Sequence, residues 1–236
     1  MRIRGMATAV RTATTALLVA SGAMSVAAAR ERWAPACGSW EAPACLRVQD
    51  HRYDYLSPSA PWTPIGEAAQ YAAVAQVLLA AALLVLPTLI FRGRPVLTLA
   101  VGAATSLSVL LVAQHTWDSA QAGVPVLSQV VAPATSVWAL LWPLAVMVLA
   151  LLPRRTPDRA GRGWRICVVL ALLMASPIPQ AFMSIGPYDA APWADALGGY
   201  LVILAGCALW PATTRRTRRV EPGGTTRHPG SLAATT

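Results

Sequence analysis

Two short stretches carry the side chains most able to do chemistry: His51-Arg52-Tyr53-Asp54 and His115-Thr116-Trp117-Asp118. In a helical turn, residues three apart share a face, so each imidazole can stand beside a carboxylate. Brought together, His51, Asp54, His115 and Asp118 would form a mixed nitrogen and oxygen set suited to zinc or another borderline ion. Taken singly, a His/Asp pair could serve as an acid-base couple. The plain alternative is interfacial: polar and aromatic residues of these types belong where a membrane meets water.

Cys37 and Cys45 form the second constellation. They enclose a short segment with Gly38 and Ser39, and outside the cytoplasm such a pair oxidises to a structural disulfide. The spacing is not Cys-x-x-Cys, which argues against redox catalysis. Asp189, Trp193 and Asp195 extend an acidic group that includes Asp50, Asp54 and Glu67, a surface attractive to cations or a basic partner. Cys167 and Cys207 read as small packing residues, and Gln129 and Gln180 as hydrogen-bond partners between helices. No P-loop, dinucleotide turn, nucleophile elbow or zinc-protease motif occurs, and nothing calls for a cofactor.

The elements that must position these groups are apolar blocks. Residues 71–91 run about twenty positions without a charge, long enough to cross a hydrocarbon core of about 30 Å, and end at Arg92-Gly93-Arg94. The chain of 236 residues is 56% hydrophobic and only 12% charged, too apolar for one soluble core. The pattern predicts an all-α polytopic transmembrane bundle. Residues 1–29 form a signal peptide or a retained first span, with Ala27-Ala28-Ala29 as a small-residue cut site. A disulfide-stapled external loop follows over 30–65, then a bundle over 66–211 with spans at 66–91, 95–113, 126–152, 166–184 and 193–210. The count is six spans, or five if the leader is removed. Pro177 and Pro179 are expected to break the span at 166–184, and Gly198-Gly199 to allow close packing. Residues 212–236 read as a disordered basic tail.

Charge gives the sidedness. All nineteen basic residues of the Lys+Arg count are arginine. With both termini inside, fifteen of them face the cytoplasm against Asp158 and Glu221, while Arg30, Arg32, Arg47 and Arg52 lie outside among eight carboxylates. The net charge of +9 is therefore a topology signal rather than a nucleic-acid footprint. Arg215, Arg216, Arg218 and Arg219 are placed to meet anionic lipid. The Ala- and Arg-rich usage without Lys or Asn reads as bacterial. Three functional classes follow: a non-catalytic membrane subunit with a membrane-protein partner, a handler of small solutes or lipid through the Pro-broken span, or a metal or cofactor site on the His-x-x-Asp pairs. An enzyme is the least favoured.

Overall fold

The computed structural model describes residues 2–91, 95–126, 129–144, 162–177 and 191–213. The described chain is helical: α1 (Arg2–Trp33), α2 (Pro43–Val48), α3 (Ala68–Ile90), α4 (Pro95–Ala122), α5 (Val131–Ser136), α6 (Arg162–Met174) and α7 (Ala194–Thr213). Four helices, including Gly5–Trp33 of α1 together with α3, α4 and α7, are long and apolar enough to cross a membrane. Of the six expected spans, the two at 126–152 and 166–184 are described only over Val131–Leu144 and α6.

α1 continues through Ala27-Ala28-Ala29 without a break, and Ala28 and Ala29 are fully buried. It packs between α3 and α7; α3 in turn packs on α4, α4 on α5, and α6 on α7. The shared interior contains Leu18, Leu83, Leu86, Val109, Val112, Trp138, Trp142, Val168, Leu172 and Leu209. Lipid tails are as apolar as these side chains, so van der Waals fit and interhelical polar contacts must supply the association.

Close approach of α1 and α7 rests on Gly22 and Gly199. A methyl group built at Gly22 would run into the Gly199 carbonyl and lie 2.6 Å from Ile203 Cγ1 and 2.9 Å from the Ile203 nitrogen. The obstacle is backbone, which cannot rotate aside. Gly22→Ala should therefore destabilise the protein by about 1–3 kcal/mol. Gly5→Ala on the same helix, with no neighbour within 4 Å, should not. Thermal unfolding of both variants in detergent checks the pair; equal melting temperatures would contradict the tight α1–α7 seam.

α4 departs from the expected boundary. From the residue pattern a span is expected to end at 113, with 114–118 outside it, but the helix continues to Ala122. No Pro or Gly intervenes before Gly123, whose φ of +67° ends the helix in the left-handed conformation that glycine adopts readily. Val126 N–H then donates to Ser119 Oγ at 3.0 Å and fixes the exit. α5 passes into a π-helical turn over Val137–Leu141, just before Pro143, which lacks the N–H needed to close on Ala139. α6 stops at Met174. Ser176 Oγ donates to Leu173 O at 2.6 Å and Pro177 follows, while the remainder of the expected break at 178–180 lies outside the described residues. Pro179, Gln180, Asp189 and the tail arginines 215, 216, 218 and 219 lie outside the described residues.

Candidate functional site

Residues 34–67 form a cap over one end of the bundle. A disulfide joins Cys37 to Cys45 across α2, and Cys45 is fully buried. A 3₁₀ turn, His51–Tyr53, starts at Asp50, whose carboxylate accepts from the Arg52 N–H at 2.8 Å. Trp62 donates its indole N–H to Asp54 O at 2.7 Å and closes the loop.

Arg32, in the last turn of α1, ties the cap to the bundle. Its side chain is only 2% exposed. Nε and Nη2 donate to Val48 O at 3.0 and 2.9 Å, and Nη1 donates to Asp54 Oδ1 at 2.7 Å. The same Nη1 lies 3.8 Å from Asp195 Oδ2 at the start of α7. The guanidinium also sits 4.5 Å from the Trp33 ring centroid, a cation–π contact, and Trp33 Nε1 donates to Asp195 Oδ2 at 3.3 Å. The helix dipoles favour this arrangement, with a cation at the C-terminus of α1 and an anion at the N-terminus of α7.

Tyr55, from the cap, is buried beside Asp195. Burial raises its phenol well above the usual value, and the neighbouring Asp195 charge adds to the shift. A raised folded value means that the neutral hydroxyl contributes stability fully below about pH 10 and loses it as pH climbs through the folded value. The melting temperature of the wild type should therefore fall more steeply above about pH 10 than that of Tyr55→Phe. Parallel alkaline slopes would contradict this placement.

Under Tyr55 and Leu56 lies a cavity of about 80 Å³ between α1, α3 and α7, with Trp138 and Ala175 also on its wall. Ala175 brings the end of α6 to the same space. Asp195, Ser25, Gly199 and Gln76 line it. Ser21 Oγ donates to Ala75 O at 2.7 Å and Ser25 Oγ to Ser21 O at 3.1 Å, so those hydroxyls are engaged. Gln76 is different: it is 4% exposed, and neither its Oε1 nor its Nε2 has a hydrogen-bond partner among the described residues. A buried amide without partners costs about 1–3 kcal/mol, so the cavity is polar in demand although its walls are mostly apolar.

The residues singled out from sequence go to different places. His51 Nδ1 meets Asp54 Oδ2 at 2.8 Å, as the spacing predicts, with the imidazole 63% exposed. His115 turns to Pro58 O, 3.0 Å from Nε2, while Asp118 is exposed. The neighbouring Thr116 Oγ1 accepts from Ser57 N–H at 3.1 Å, so the second pair's helix clamps the cap. Among the described residues, no group of three or more His, Cys, Asp and Glu side chains is arranged to hold a metal ion. Cys167 and Cys207 are free thiols, and Gln129 is exposed.

Sequence reasoning reached Asp195 as part of an acidic surface and Arg32 only as a flanking external charge, and passed over Tyr55 and Gln76. For Gln76 a signal existed, since it is a long polar side chain in the middle of an apolar span. Comparison with protein-family models, with curated proteins and with solved structures finds no match to the chain.

Proposed function

We propose that the protein is a non-catalytic, polytopic membrane protein that binds a small polar solute in the cavity beneath its cap. The observation that carries this reading is Gln76, a residue of the cavity wall whose amide is buried within an apolar span with both polar atoms unpaired among the described residues. Native proteins pair such groups, so a donor-and-acceptor partner is the simplest completion. The volume supports a small occupant: it is about half that of an engineered cavity of about 150 Å³ that accepts benzene.

In this reading the cap faces away from the cytoplasm, where its disulfide persists, and both termini lie inside with the arginines at 215, 216, 218 and 219 against anionic lipid. The first helix is retained. Its last turn holds Arg32 and Trp33, and its body fills the space between α3 and α7. Ala175, just past the end of α6, reaches the cavity wall.

Native mass spectrometry of the protein released from its own membrane tests the proposal. The expected spectrum shows residues 1–29 retained and a small-molecule adduct that Gln76→Leu lacks. A wild-type spectrum without an adduct, identical in this respect to Gln76→Leu, would overturn it.

A further inference from the structure

The two ends of the cavity make different demands on one occupant. At the cap end, Arg32, Asp54 and Asp195 carry one positive and two negative charges. The short contact of Arg32, at 2.7 Å, goes to Asp54, and the 3.8 Å separation is what remains for Asp195. His51 Nδ1 meets the other Asp54 oxygen at 2.8 Å, with its imidazole 63% exposed. Asp195 keeps 30% of its side chain accessible and lines the cavity. A carboxylate in surplus at a site of low dielectric favours a cation.

Deeper in, Gln76 offers an unpaired acceptor and an unpaired donor. A bare ammonium or metal ion would engage Oε1 and leave the amide N–H unmatched, so the occupant needs an oxygen acceptor as well. The spacing allows one small molecule to meet both ends. Gly199 lies one turn beyond Asp195 along α7 and touches Gly22, while Ser21 bonds to Ala75, the neighbour of Gln76. Counting four residues along α7, one along α1 and one along α3, Asp195 and Gln76 thus stand on levels about 9 Å apart along the bundle.

We infer that the occupant is a small primary ammonium compound bearing an oxygen acceptor, its cation at Asp195 and Tyr55 and its oxygen at the Gln76 amide. This deepens the proposed solute-binding function and rests on it. An ammonium with an oxygen two carbons away occurs in free amino alcohols, as a hydroxyl, and in the headgroups of ethanolamine lipids, as a phosphate ester oxygen.

The test uses the full chain in phosphatidylcholine nanodiscs and follows thermal stability as ethanolamine, ethylene glycol or ethylamine is titrated at constant ionic strength. Ethanolamine should stabilise saturably, with the neutral glycol and the acceptor-free amine each weaker by about tenfold or more. Asp195→Asn should weaken ethanolamine binding by about thirtyfold or more, and Gln76→Leu should abolish it. Should Asp195→Asn fail to fold, the three-compound comparison on the wild type still decides. Nanodiscs containing phosphatidylethanolamine separate the sources: a stability gain there that added ethanolamine does not increase identifies the headgroup. Glycol binding as tight as ethanolamine would overturn the cation, and ethylamine binding as tight would overturn the acceptor; in both cases the solute-binding function stands. Stabilisation by neither ethanolamine nor the ethanolamine lipid overturns this inference, and the native adduct on the wild type then decides whether the solute-binding function falls with it.

Discussion

Arg32→Met is expected to destabilise the protein by about 3 kcal/mol and to release the cap. Removing one member of a buried ionic group typically costs about 3–5 kcal/mol, because the remaining charges lose compensation. Here Asp54 and Asp195 keep 34% and 30% of their side chains accessible, which puts the cost at the lower end. The Val48 carbonyl loses both of its guanidinium donors in the same step. Methionine preserves much of the apolar stem, so the loss reports on the guanidinium. Chemical unfolding in detergent measures it, and proteolysis within 34–67 reports cap release. Combining Arg32→Met with Asp54→Asn should recover part of the loss, since the second change removes one stranded charge. Strict additivity of the two changes would show that Arg32 and Asp54 are not coupled.

Gln76→Leu is expected to act in the opposite direction on the ligand-free protein. Leucine is close to glutamine in size and removes a buried amide with no partner, so stability should rise by about 1–2 kcal/mol. The gain stays modest because the reference state within a membrane also finds partners for a polar side chain. The same substitution should eliminate solute binding. Few substitutions separate these two readouts: one that only damaged the fold would lower both. A loss of stability in Gln76→Leu without solute would mean that the amide is already satisfied, and the case for a polar occupant would fail.

What was legible in the sequence follows the range of the interactions involved. The charge-free run at 71–91 predicts a membrane-length helix, and α3 occupies Ala68–Ile90. Cys37 and Cys45 are close in the chain, so local spacing sufficed to pair them. Arg32 could not be read in the same way. Beside an apolar block it looks like any flanking charge, and its environment depends on α7, with Trp33 and Asp195 separated by 162 positions.

The two His-x-x-Asp segments show the same limit. Identical spacing gives a closed pair where His51 sits in a short turn. It gives a cap clamp where His115 lies on the long α4 helix, facing Pro58. Spacing sets which side chains share a face, while the neighbouring segment decides what that face meets. For Gln76 the sequence shows a polar residue in an apolar span, but only packing tells whether a partner stands opposite.

The central claim, that a polar solute completes Gln76, is most directly tested by an electron-density map of protein purified from its own membrane, at a resolution that separates small solutes from water. A feature larger than a water is expected within hydrogen-bonding distance of Gln76 Oε1 and Nε2, reaching toward Asp195. A cavity closed by its own walls, with the Gln76 amide bonded to neighbouring protein groups, would contradict it.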